Sequence, residues 1–110
     1  MLFRSVAGGV VFAGLSAGYI HACGRTAAGV AYCWGWSQYG QVGDGTTGPV
    51  RLTPTAVAGG LLFASLSAGD SQFSCGRTAA GTAYCWGWNQ YGQLGDGTTT
   101  NRAVPTLVKP

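Results

Sequence analysis

Residues 23–47 read CGRTAAGVAYCWGWSQYGQVGDGTT, and residues 75–99 read CGRTAAGTAYCWGWNQYGQLGDGTT. Aligned without gaps, the two differ only at Val30/Thr82, Ser37/Asn89 and Val42/Leu94. The repetition continues upstream, where VAGGVVFAGLSAG (6–18) returns as VAGGLLFASLSAG (57–69). The offset is 51 at Gly8/Gly59 and Ser16/Ser67, 52 from Cys23/Cys75 onward, and 51 again at Arg51/Arg102 and Pro54/Pro105. Each one-residue slip falls where a loop or bulge can absorb it. A unit of this length, used twice, is one supersecondary element that cannot bury its faces alone. The repeats divide the chain into 1–58 and 59–110, the first carrying an extra N-terminal stub (RSVAGG against TAVAGG).

Four strands can be placed in each copy. The first is VVFAGLSAG or LLFASLSAG, whose unbroken apolar run suits a strand buried on both faces. The second lies around IHACGRT or QFSCGRT, and the third is VAYCWGW or TAYCWGW. TAAG between them is a short hairpin connection ending in glycine. The fourth is LTPTAV or AVPTLV, and its proline suits an outer edge strand, where fewer backbone donors are needed. A glycine-rich loop, SQYGQVGDGTTGP in the first copy, separates the third strand from the fourth. The recurrence of VAGG…LSAG inside the chain also argues that the N-terminal apolar stretch is strand, although Arg4 and IHAC imitate a signal segment and a lipoprotein cleavage box. No apolar stretch is long enough to span a bilayer as a helix, so no membrane partner is expected.

The residues AGYIHACG, GVAYCWGWSQYGQVGDGTT and RLTPTAV resemble the regulator-of-chromosome-condensation repeat family. The resemblance covers nearly the whole chain, and its most specific part is the WGxxxxGQxGDGT stretch. It implies an all-β fold of propeller blades, two four-stranded antiparallel blades per chain; the family usually closes seven blades in one chain. It also implies protein–protein recognition, in some members guanine-nucleotide exchange on a small GTPase or chromatin binding. Those activities rest on blade-specific loops that are not identifiable here, so none is transferred. In this alignment Gln72 takes the place of the family histidine in the second copy.

Two blades do not close a propeller. Left alone they expose two apolar faces, and Phe12, Tyr32, Trp34, Phe63, Tyr84 and Trp86 are the residues expected to pack between blades. Head-to-tail association closes a ring when the rotation per unit divides the circle. Three chains would give six blades and four would give eight, whereas seven cannot be built from whole pairs. The expected partner is therefore the chain itself, in a homo-oligomeric closed propeller. The alternatives are a piece of a longer propeller chain, or a metagenomic or designed minimal unit.

Enzyme chemistry is hard to assemble from these residues. Cys23/Cys33 and Cys75/Cys85 straddle their TAAG turns symmetrically, so each pair can form a disulfide if it occupies a non-hydrogen-bonded position. Oxidised pairs would point to an extracellular or periplasmic setting; two buried thiols are the other reading. Structural zinc favours short C-x2-4-C knuckles, which are absent. His21 shares a strand face with Cys23, but a dyad in one copy only is a weak nucleophile signal, and a structural hydrogen bond is the plainer role. The carboxylates are Asp44, Asp70 and Asp96; Asp44 and Asp96 sit in GDGT turns, where Asp bonds its own downstream backbone. One carboxylate per turn is too few for calcium. No cofactor, metal or catalytic residue is expected.

The charged fraction is 8%, far below the average of about 25%, and hydrophobic residues make up 46%, a composition that argues against disorder. The net charge of +3 comes from scattered single arginines and Lys109, read as solvated blade-edge residues, so no nucleic-acid partner is expected. A surface remains that could bind a sugar or peptide by stacking and hydrogen bonding: Trp36, Gln38 and Tyr39, repeated as Trp88, Gln90 and Tyr91, with Asn89 beside them. Burial against the next blade or subunit is the competing role for these aromatics.

Overall fold

The computed structural model describes residues 9–69 and 72–109. The N-terminal stub and Asp70 lie outside the described residues. The chain forms eight strands: β1 (Gly14–Ala17), β2 (His21–Arg25), β3 (Ala31–Trp36), β4 (Val50–Ala56), β5 (Ser65–Ala68), β6 (Phe73–Arg77), β7 (Ala83–Gly87) and β8 (Arg102–Leu107). They make two four-stranded antiparallel sheets in the orders β1-β2-β3-β4 and β5-β6-β7-β8. Each sheet is one repeat, a blade with its first strand innermost. Pro54 and Pro105 lie on β4 and β8, the outer edges, opposite the register shift that interrupts the β3–β4 and β7–β8 pairing.

The first strand of each blade is shorter than the apolar run suggests, and it is not buried on both faces. Leu15 on β1 is 45% exposed. The reason lies in Phe12 and Phe63, which leave the strand path and plug the blade, both buried. Each ring occupies the space above a glycine of the second strand: a Cβ on Gly24 would stand 2.7 Å from the Phe12 ring, and one on Gly76 would stand 2.6 Å from Phe63. Only the segment after each phenylalanine pairs as an innermost strand, with one edge open.

Repetition of sequence becomes repetition of packing. Phe12 meets Tyr32 edge-on at 6.0 Å and Trp34 at 5.6 Å; Phe63 meets Tyr84 at 6.4 Å and Trp86 at 5.8 Å. Their surroundings differ. Trp86 is fully buried because it faces the first blade, where a Cβ on Gly43 would stand 2.5 Å from the indole nitrogen. Trp34 carries the same triad on the outer face of the first blade and stays half-exposed. The core follows this seam between the blades, with Cys23, Ala31, Cys33, Val42, Phe63, Ala68 and Trp86 at its centre.

Candidate functional site

Hydrogen bonds cross the seam at several points, among them the Gly45 N–H to the Ala103 carbonyl at 2.9 Å. On the inner side, the Ser16 hydroxyl accepts the Ala68 N–H at 2.9 Å. Near the hairpin, Phe63 N–H donates to the Gly29 carbonyl at 2.8 Å. In the middle lies a polar relay: the Ser74 hydroxyl donates to the Gln41 carbonyl at 2.8 Å, and His21 Nε2 lies 2.8 Å from the Ser74 hydroxyl oxygen. A hydroxyl has one proton, and a carbonyl can only accept. His21 must therefore donate from Nε2, which leaves Nδ1 unprotonated and buried without a hydrogen-bond partner. Burial pushes the imidazole down to about 4, with the Phe73 main chain offsetting part of the effect.

This geometry corrects the alignment of the second strands. His21 lies opposite Gly35, and Phe73 lies opposite Gly87, so Phe73 and not Gln72 takes the histidine's station. Gln72 is the counterpart of Ile20, since each carbonyl accepts the N–H of the second tryptophan of its WGW, Trp88 just past β7 and Trp36 at the end of β3 respectively. Gln72 has φ 67°, a left-handed conformation that lets the longer second copy rejoin the common register. Ser74 was invisible to motif reading, and its only signal was that it replaces Ala22 in a near-identical repeat.

The cysteines are engaged in the blades. Cys23 faces Cys33 across β2–β3 and Cys75 faces Cys85 across β6–β7, each pair 4.0 Å apart at Cα and joined as a disulfide. A His21–Cys23 dyad is therefore not formed: the sulfur is bonded to Cys33, and the imidazole is turned to Ser74.

The GDGT loops hold more than a turn. Asp44 Oδ1 accepts the Thr46 N–H at 3.1 Å, and Asp96 Oδ1 accepts the Thr98 N–H at 2.9 Å. The second oxygen of each meets an arginine Nε at 2.7 Å, Arg51 for Asp44 and Arg102 for Asp96. Arg51 and Arg102 are thus paired loop anchors rather than solvated edge charges. The Thr98 hydroxyl, Arg102, the Thr98 N–H and Asn89 hold the Asp96 carboxyl well below the usual carboxylate range, against an opposing effect of burial. At Asp44 burial raises the pKa, but the Arg51 and Thr46 hydrogen bonds together outweigh it and the carboxyl is lowered.

The aromatic surface divides. Tyr39 of the first blade stacks on Trp88 of the second at 5.9 Å, and Tyr91 meets Trp88 edge-on at 5.5 Å. These three form a cluster over the seam, with Tyr91 78% exposed. Trp36, Gln38 and Gln90 are also exposed, and Gln38 lines a pocket of about 370 Å³ with Thr47, Gly48 and Pro49. Asn89 does not belong to this surface. It is buried, with Nδ2 donating to the Thr98 and Thr100 carbonyls and Oδ1 accepting the Leu94 N–H at 3.0 Å. Its role is to tie the loop, as the Ser37 hydroxyl does in the first blade by accepting the Val42 N–H.

Two sequence models of the regulator of chromosome condensation (RCC1) repeat match the chain, one over residues 80–110 and the other over 12–41 and 63–93. The chain is 34% identical over 97 residues to the probable E3 ubiquitin-protein ligase HERC4 of Homo sapiens, a match covering 86% of this chain and 9% of that protein. It is 30% identical over 102 residues to the ultraviolet-B receptor UVR8 of Arabidopsis thaliana, covering 93% of this chain and 23% of that one. Among solved structures, Prp20p of Saccharomyces cerevisiae superposes with a TM-score of 0.83 at 23% identity, covering 96% of this chain and 27% of that chain. Human WBSCR16 superposes with a TM-score of 0.78 at 26% identity, covering 89% and 25%. The chain thus spans a quarter or less of the length of these curated relatives.

Proposed function

The chain belongs to the regulator of chromosome condensation (RCC1) repeat family, and on that premise we propose that it is a non-catalytic propeller unit that closes a ring with copies of itself and serves as a protein-interaction scaffold. The observation that carries this reading is the inequality of the two aromatic triads. Trp86 is covered by a neighbouring blade, and Trp34, in the same triad, is not. An apolar face shaped to receive a blade calls for one. The non-catalytic part rests on how the reactive groups are used. His21 is spent on the seam, all four cysteines are in disulfides, and Asp44 and Asp96 are in ion pairs. The scaffold part is favoured by similarity to a yeast protein studied for its binding to Gsp1p and histones.

Absolute mass from light scattering on a sizing column tests the ring. One species of three or four chains is expected, and a stable monomer would overturn closure by copies. A monomer would instead leave the blade pair as a segment of a longer propeller.

A second reading is favoured by the Tyr39–Trp88–Tyr91 cluster, an exposed aromatic surface fed by two blades. Such a surface can stack on a sugar or an aromatic peptide side chain. Trp36→Ala and Trp88→Ala are expected to reduce capture on a glycan or peptide array while the mass stays that of the parent. Loss of assembly in both would assign the tryptophans to subunit contact instead.

A further inference from the structure

Resting on the reading that copies close the ring, we infer that the closing junction is a second, apolar edition of the seam, in which Phe73 of one copy packs against Ala22 of the next. Within the chain, His21 and Ser74 face each other across the seam. Side chains alternate along a strand. Ala22 and Phe73, their immediate neighbours, therefore point out of the blade pair from its two opposite ends. The register makes them counterparts of the seam pair: Phe73 holds the station of His21, and Ala22, opposite Trp34, holds that of Ser74, opposite Trp86.

Head-to-tail packing would bring Phe73 to Ala22 as His21 is brought to Ser74. Both members of the polar pair have been replaced, the large by a large apolar residue and the small by a small one. Replacing either alone would bury a hydroxyl or an imidazole beside a group that cannot bond it, at about 1–3 kcal/mol. A matched exchange at two positions that do not meet within one chain is what a contact between copies requires.

The rest of the outer face repeats the seam with its landing places uncovered. A Cβ on Gly29 would stand 3.1 Å from the Phe63 carbonyl oxygen, and one on Gly40 would stand 2.6 Å from Ala103 Cα. At their counterparts Gly81 and Gly92 nothing lies within 4 Å. At the other end Leu52, the counterpart of Ala103, is 88% exposed. The occupant argued for is a second copy because one chain carries both halves of the contact, continuous in form with the seam it already makes. The interface is heterologous, the kind that closes rings.

Light scattering and a dilution series on the full chain test the pairing. Ala22→Arg places a long charged side chain at one end of the pair and Phe73→Glu a carboxylate at the other; each is expected to yield monomers that still unfold cooperatively in urea. Using both guards against misfolding of either. Phe73→His is expected to weaken association at least tenfold, and Ala22→Ser added to it is expected to restore most of the loss by rebuilding the polar pair. Oligomers that persist in Ala22→Arg and Phe73→Glu, or purely additive effects of Phe73→His and Ala22→Ser, would overturn the pairing. A monomeric parent would instead overturn ring closure itself.

Discussion

Replacing Trp86 with alanine is expected to lower the unfolding free energy by about 3–5 kcal/mol, the range for removing a large aromatic from a packed core. Trp34→Ala, measured at high dilution, is expected to cost about half as much or less, since part of that indole already meets solvent. The two residues sit in the same triad with the same neighbours of their own blade. Their difference therefore isolates what the seam adds: the loop surface around Gly43 that lies over Trp86. Total stability for a domain of this size is about 5–15 kcal/mol, so the Trp86 variant should show a large drop in urea midpoint with little change in slope. Equal penalties at the two positions at high dilution would mean that the seam does not bury Trp86 as described.

Acidification is expected to weaken the same seam before it touches the loop ion pairs. The His21 imidazole has its pKa lowered in the fold to about 4, from 6.5. Below 6.5 the unfolded chain takes up a proton that the folded chain refuses, so stability falls as the pH drops through this window. The fall levels off near the folded value, where both states are protonated. At about 1.4 kcal/mol per pH unit the loss across the whole window amounts to at most roughly 3.5 kcal/mol. The structural cause is specific: Nε2 already carries the proton given to Ser74, and the incoming one must go to Nδ1, buried without a partner. His21→Phe should abolish the slope between pH 6.5 and 4, because Phe73 fills the equivalent station in the other blade without titrating. Asp96 loses its contribution in the same direction, as pH falls, but its depressed carboxyl places that loss below the histidine window. A parent urea midpoint that does not move between pH 7 and pH 4.5 would contradict the assignment of the neutral imidazole.

The strands, their order and the disulfide register were legible because the repeat supplied two readings of each element. Turn residues marked the connections, proline marked the outer edge strand, and symmetric spacing about TAAG put the cysteines opposite one another. Three features were hidden for physical reasons. The plug formed by Phe12 and Phe63 looks like strand, since an apolar residue leaving the sheet and one staying in it have the same hydropathy. The Asp44–Arg51 and Asp96–Arg102 pairs close a loop whose length changes between copies, so no fixed spacing announces them. Ser74 and His21 meet across blades, 53 residues apart, and only the packing of one sheet on the other joins them.

Each disulfide closes within one hairpin, and none among the described residues crosses from blade to blade. Four cysteines can pair in three ways. Here each sulfur has its partner ten residues away, and because oxidation takes seconds or longer, the pairing is favoured by the high local concentration that so short a loop gives the partner thiol. A duplication that copies one blade therefore copies a complete oxidation unit and leaves no thiol orphaned. Lengthening such an array by further blades raises its cysteine content without adding wrong partners held as close in the chain, so growth of the gene need not wait for a new way to fold oxidatively.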